Sequence, residues 1–240
     1  EAFGHTGVSA TKGRGNVLTE ADLAVERAVM DLVAREYPGH AVLSEETAAE
    51  THSNGWMWVV DPIDGTKNFS RGIPHFAFNL ALCRNESPVL ALTLQPLTGE
   101  EWLSVAGEGC ALNGTTVRVS ACERVRDAVF AMDLGYDDAM AKLQIATVLG
   151  LWPGMQSLRV SGSAALGFTW VAAGRVDLYL QPNLFPWDIA PGLLHVREAG
   201  GVVLTRDGAE ATIRSQTVVA APPPVAADFL ALAADFPWRA

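Results

Sequence analysis

Cysteine is scarce in this chain, and the three that occur, Cys83, Cys110 and Cys122, are odd in number and widely spaced. That pattern excludes a disulfide framework and a cysteine zinc site, and leaves reduced, mostly buried thiols. Long apolar runs are also missing. No stretch reaches the ~20 residues that span a bilayer, and residues 1–15 lack the apolar segment of a signal peptide, so the expected location is the cytoplasm, with no membrane as partner. Basic residues are outnumbered: 17 Lys and Arg stand against 27 Asp and Glu, for a net charge of −10. Such a balance argues against a nucleic-acid polymer as partner, because proteins that bind one generally present a basic face. The five histidines show no ligand spacing, and no G-x-S-x-G nucleophile motif occurs. No flexible linker or internal repeat divides the chain.

What the chain does have is apolar mass, 49% of 240 residues, enough to bury a sizeable core as one unit or two closely packed halves. It is organised around residues 56–69, WMWVVDPIDGTKNF. Trp58, Val59 and Val60 are β-formers, so a buried strand delivers Asp61 and Asp64 to its carboxyl end. Pro62 cannot donate to a ladder, which predicts that the strand stops at the acids, and Gly65 permits a sharp turn close to a ligand. Thr66 can then begin a short helix whose N–H groups face the same spot. Either Asp alone reads as a turn cap, but two acids beside an anion-binding helix start point to divalent cations held against a phosphate.

Upstream, residues 1–15 read as a polar, Gly-rich loop, in which Lys12 is flanked by Gly13 and Gly15. A helix is expected over 19–35, opened by Thr19-Glu20-Ala21-Asp22, a variant capping box. A short strand at 41–43 leads into Ser44-Glu45-Glu46. Strands at 76–83, 89–97 and 100–105 form an antiparallel meander, and Asn113-Gly114 signals a hairpin. After Asp127, strands near 128–132, 156–160 and 176–180 alternate with helices near 138–149 and 163–173, which predicts a parallel or mixed sheet. A helix over 187–198 carries Asp188 in its first turn, where the dipole favours an acid. Strands at 202–204 and 217–220 precede a last helix opened by Pro222 to Pro224.

Taken together these residues resemble the inositol monophosphatase superfamily of Mg²⁺-dependent, lithium-sensitive phosphatases. Further motifs appear in the family's order over nearly the whole chain: SEE at 44–46, GEGCALNG at 107–114, SGSAA at 161–165 and PWDIAPG at 186–192. The resemblance implies an α+β fold, a layered αβαβα sandwich of the inositol monophosphatase and fructose-1,6-bisphosphatase type. Residues 1–125 would form an N-terminal half with an antiparallel sheet and most metal ligands, and residues 126–240 a C-terminal half with a mixed sheet and the last ligand. A homodimer, a small phosphorylated substrate and a further helix ahead of the Gly-rich loop are implied as well.

Glu45, Asp61, Asp64 and Asp188, with the Ile63 carbonyl, make an all-oxygen set that suits Mg²⁺ and not zinc. By the resemblance, Glu45, Asp61 and Ile63 hold one ion, and Asp61, Asp64 and Asp188 a second. A third ion near Glu45 would bring the count to three. Asp22 and Thr66 would orient the attacking water, with Lys12 near the metal and phosphate. Backbone N–H groups of Gly65 and Thr66 would bind phosphate, and Gly162, Ser163 and Ala164 would line the substrate cleft beside Asp64 and Asp188. Gln181 lies seven residues before Asp188, where inositol enzymes commonly carry a Glu that accepts from a ring hydroxyl. An amide there lacks the charge-assisted share of that bond, ~1 kcal/mol or more. Lys67 and Arg71 in DGTKNF-x-RG resemble relatives that hydrolyse histidinol phosphate, and Pro191 departs from the usual helix. The function implied is hydrolysis of a small, inositol monophosphate-like ester. Histidinol phosphate, fructose 1,6-bisphosphate and a 3′-phosphonucleotide are alternative substrates. A catalytically silent, metal-binding regulatory protein is the alternative of another class.

Overall fold

The computed structural model describes residues 3, 8–13, 16–47, 55–236 and 238, with residues 8–13 and 16–18 described as backbone. Near the start, strand β1 (Val8–Gly13) pairs antiparallel with β2 (Asn16–Thr19). This corrects the reading of residues 1–15 as loop. Val8, Thr11 and Val17 are β-formers, and local pairing gives this polar backbone the partners it needs. Helix α1 (Glu20–Glu36) follows, opened by the capping box that Thr19 and Asp22 predict.

Seven strands then form one sheet in sequence order: β3 (Ala41–Ser44), β4 (Trp56–Asp64), β5 (Ala77–Arg84), β6 (Ser87–Gln95), β7 (Glu100–Val105), β8 (Gly109–Leu112) and β9 (Thr115–Val117). Only β3 and β4 run parallel. The short helix α2 (Thr66–Ser70) interrupts the series after β4. Asn113 and Gly114 both take positive φ, +49° and +75°, as a tight hairpin between twisted strands demands.

The second sheet is built from β10 (Val129–Met132), β11 (Ser157–Val160), β12 (Leu178–Gln181), β13 (Val202–Thr205) and β14 (Val218–Ala221). Its order is β11-β10-β12-β14-β13, parallel through the first three strands and antiparallel through the rest, hence mixed. Helices α3 (Asp138–Leu151), α4 (Ala164–Ala172), α5 (Pro186–Glu198) and α6 (Pro223–Leu232) complete the chain.

Strand alternation explains the layering. On β5, Ala77, Asn79, Ala81 and Cys83 are buried while Phe78, Leu80 and Leu82 on the other face are half-buried. The buried face meets α4 and α5, whose Leu166, Phe168, Ile189 and Leu193 also pack on Tyr179 and Val218 of the second sheet. The far side of that sheet, Phe130, Leu178 and Val219, takes Val148 of α3 and Phe229 of α6. With α1 lying on β3 and β4, the order is αβαβα, an α+β fold. The central helices touch closely: a Cβ on Gly192 of α5 would sit 2.4 Å from the Phe168 ring of α4. Among the described residues no helix is long and apolar enough to cross a membrane.

Candidate active site

Asp61 and Asp64 are three residues apart, so on a regular strand they would point to opposite faces. The pairing of β4 with β5 resolves this. Asp61 lies opposite Asn79 and Asp64 opposite Ala77, so one extra residue is accommodated on β4 between them. That bulge, at Pro62 and Ile63, restores parity and turns both acids to the buried face. The strand stops at the acids as expected, with the ladder interrupted at Pro62 and Ile63 and closed by one last pair at Asp64. Gly65 then turns the chain at φ +89°, and a Cβ there would come within 3.1 Å of the Gly162 carbonyl. Both the conformation and the space require glycine.

Asp188 reaches the same point from the first turn of α5, where its Oδ2 accepts the Phe185 N–H at 2.7 Å. Carboxylate oxygens of Asp61, Asp64 and Asp188 lie within 4.8 Å of one another. Glu45, in the turn after β3, is outside that set of three but lines the same cavity of about 120 Å³, together with Ile63 and Thr66. Burial, then the charge of Glu45, then those of Asp64, Asp188 and Asp22, hold the Asp61 carboxyl well above its ordinary range. Burial and the charge of Asp64 do the same to Asp188. Asp64 is pushed up to about 6 by burial, against the hydrogen bonds it accepts from Ser163, Ala165 and Ala164. Like charges gathered out of water are unfavourable unless a cation joins them, and hard oxygen donors fit Mg²⁺.

Asp64 and the corner that carries Glu45 are held by protein groups distant in sequence. Asp64 sits on the N-terminus of α4: Ser163 Oγ donates to Oδ2, the Ala165 N–H to Oδ2 at 3.0 Å, and the Ala164 N–H to Oδ1 at 3.2 Å. Gly162, Ser163 and Ala164 line a second cavity of about 350 Å³ adjoining the first, with Gln181, Asp64 and Asp188 also on its wall. Their donors, however, are already spent within the protein. The Gly162 N–H goes to Asp133, the Ala164 N–H and Ser163 hydroxyl to Asp64. Buried Glu26 of α1 accepts from Ser44 Oγ and from the Glu46 N–H at 3.0 Å, which fixes the corner that carries Glu45.

Pro191 explains how Asp188 is placed. Lacking an N–H, it leaves the Trp187 carbonyl without its helical partner. Asn79 of β5 donates to that carbonyl instead, at 3.0 Å. Asn79 Oδ1 accepts the Thr93 hydroxyl at 2.6 Å, so the Thr93 oxygen must accept from His195 Nε2 at 3.1 Å. His195 Nδ1 then accepts from Ser104 Oγ at 2.8 Å. The relay fixes the Nε2–H tautomer of a fully buried imidazole, whose pKa burial lowers to about 3.

Asp22 is fully buried. Its Oδ2 accepts from the Thr19 N–H at 2.8 Å and the Thr19 hydroxyl at 2.5 Å, so the capping interaction is made. Thr66 Oγ1 donates to the Ile63 carbonyl at 3.0 Å, which leaves its lone pairs to accept from a water. The Lys12 backbone belongs to β1, and its side chain lies outside the described residues. Lys67, at the mouth of the larger cavity, places its ammonium 4.6 Å from the centre of the Tyr136 ring. Glu26, Asn79 and Asp133 escaped the sequence reading. Asn79 had a signal: a polar residue in phase with Ala77, Ala81 and Cys83 on an apolar face calls for a partner.

Known proteins resemble this chain over most of its length. A profile of the Inositol monophosphatase family matches residues 1–236. "Nus factor SuhB" of Haemophilus influenzae is 34% identical over 226 residues, covering 92% of this chain and 84% of the relative. "Inositol monophosphatase 1" of Solanum lycopersicum is 33% identical over 219 residues, 88% of this chain and 80% of the relative. The solved structure of the IMPase of Thermotoga maritima superposes with a TM-score of 0.88 at 29% identity, covering 97% of this chain and 89% of that one.

Proposed function

Because the chain belongs to the inositol monophosphatase family, we propose that it is a Mg²⁺-dependent phosphomonoesterase that hydrolyses a small phosphorylated alcohol by direct attack of water on phosphorus. The observation that carries this reading is the convergence of buried Asp61 and Asp64 and half-buried Asp188 within 4.8 Å, mutually repulsive, on one cavity with Glu45. Glu45, Asp61 and the Ile63 carbonyl would hold one ion, and Asp61, Asp64 and Asp188 another. When bound there, Mg²⁺ supplies charge neutralisation of the phosphate oxygens and acidification of a water.

The protein's own groups do the rest. Thr66 Oγ1, its proton committed to Ile63, accepts from the attacking water, and the Asp22 carboxylate fixes that water's direction. N–H groups of Gly65 and Thr66 orient the phosphate for in-line displacement, so no covalent enzyme intermediate is needed. The adjoining cavity of about 350 Å³ receives the alcohol, with Gln181 on its wall. The likeness to a protein named Nus factor favours a second reading, in which the acids hold metal for stability alone. Phosphate release from a panel of esters, inositol monophosphate, histidinol phosphate, fructose 1,6-bisphosphate and a 3′-phosphonucleotide, decides between the two. Release from one or more at saturating Mg²⁺ supports the enzyme, and none from any ester by folded, Mg²⁺-loaded protein supports the silent reading.

A further inference from the structure

Tyr179 lies fully buried between two acceptors. Its hydroxyl is 3.0 Å from Asp133 Oδ2 and in hydrogen-bond contact with the Gln181 side-chain carbonyl. One hydroxyl has one proton and cannot serve both. Asp133 makes the stronger claim. Its Oδ1 already takes the Ser161 N–H at 3.0 Å and the Gly162 N–H at 2.5 Å, and Ser161 Oγ donates to Oδ2 at 3.4 Å. Burial favours the neutral form of Asp133 and the hydrogen bonds oppose it, but with donors from Ser161, Gly162 and Tyr179 converging on both oxygens no acceptor faces a carboxyl proton, and a carboxylate oxygen outbids an amide carbonyl. With the proton committed to Asp133, the Tyr179 oxygen can only accept from Gln181, and the amide nitrogen and oxygen must exchange places.

Resting on the phosphatase reading above, we propose that Asp133, acting through Tyr179, is a positioning residue that sets the polarity of the Gln181 amide. Its N–H₂ is turned inward to Tyr179 and its carbonyl outward into the 350 Å³ cavity. The alcohol part of the substrate should then carry a hydrogen-bond donor, a hydroxyl or an ammonium, and not an acceptor such as a carboxylate. Asp133→Asn reverses the logic. Its carbonyl can keep the Ser161 and Gly162 N–H groups, while its amide donates to Tyr179, whose proton then turns to Gln181 and drives the N–H₂ outward.

The test compares kcat/KM for two esters of one skeleton, 2-aminoethyl phosphate and phosphoglycolate, at saturating Mg²⁺. Asp133→Asn should lower the ratio of the first to the second by about tenfold, one charge-assisted hydrogen bond exchanged for a repulsive contact. In a Gln181→Glu background the same change should leave the ratio within about twofold, because a carboxylate presents an acceptor whichever way it turns. An equal effect of Asp133→Asn in both backgrounds would mean that Asp133 merely holds the 161–163 turn, and would overturn the proposal. If neither ester is turned over, the panel of esters above decides whether the phosphatase reading has failed. The amide is then read directly, by NMR of ¹⁵N-glutamine-labelled protein. Nuclear Overhauser contacts from the Gln181 N–H₂ to the Tyr179 ring in wild type, lost in Asp133→Asn, support the proposal, and their absence in wild type refutes it.

Discussion

Acidification should act on this protein through His195, and the structure sets the size of the effect. The imidazole is fully buried, neutral, and wired as an Nε2–H donor to Thr93 and an Nδ1 acceptor from Ser104. Its pKa falls from 6.5 to about 3 on folding, through burial. The unfolded chain therefore binds a proton that the folded chain refuses throughout the window between those values. Stability is fully present above pH 6.5 and is lost as pH falls below it. At 1.36 kcal/mol per pH unit, the loss from this one group between pH 7 and pH 5 is about 2 kcal/mol. Asp61, Asp64 and Asp188 pull the other way, because their raised pKa values mean that folding takes up protons. The comparison must therefore be made against a variant that keeps them. Urea unfolding of wild type and His195→Gln at pH 7.0 and 5.0 isolates the term. At pH 7.0 the variant should be the less stable protein, having lost the fit of the ring. At pH 5.0 that gap should narrow by about 2 kcal/mol. A gap equal at both pH values would refute the claim that His195 is held neutral.

Removing divalent ions leaves four acids facing one cavity, so EDTA should abolish turnover and lower the Tm by about 5–10 °C, with Mg²⁺ restoring both. Full activity in EDTA, followed by phosphate release, would remove the metal from the mechanism. Asp61→Asn should eliminate turnover yet give an apo Tm no lower than wild type, since it deletes a repelled, buried charge; a large fall in apo Tm would contradict that account. Asp22→Asn preserves a residue suited to the first helical turn and should still reduce kcat by ~10²-fold. An unchanged rate would confine Asp22 to the cap it makes with Thr19. Gln181→Glu should raise kcat/KM for inositol monophosphate over a 3′-phosphonucleotide by about tenfold, and an unaltered ranking of substrates would place Gln181 away from the bound alcohol.

Much of the architecture was legible because it is periodic. Alternation in residues 76–83 and the Asn113-Gly114 turn predict β5 and the β8–β9 hairpin within a residue or two of where they lie. The β1–β2 hairpin was hidden because glycine and polar residues mask strand preference, while pairing is a property of two segments at once. The string D-P-I-D-G-T pointed to the site, but not to how two acids three residues apart come to share a face. That depends on which β5 residues they oppose. Glu26, Asn79 and Asp133 were invisible for a related reason. Each satisfies backbone groups 20 to 108 residues away, and no local pattern encodes such a partner. Pro191 looked like a departure, whereas its missing N–H is what gives Asn79 a carbonyl to hold.

The placement of α4 and α5 between the two sheets has a consequence for biosynthesis. The inner face of the first sheet, with Val59, Ala81, Cys83, Trp102 and Cys110, is complete once β9 has emerged from the ribosome. Its cover is not. The end of α5 at Glu198 is made about eighty residues after Val117, which at 5–20 residues per second is a delay of roughly 4–16 s. Throughout that interval the nascent chain carries a wide apolar sheet face whose cover is incomplete, because α4 ends only at Ala172 and α5 begins only at Pro186. A slow stretch of translation between β9 and α5 would lengthen the exposure, and a chaperone that shields flat apolar surfaces would find its substrate there, before Asp188 has been synthesised.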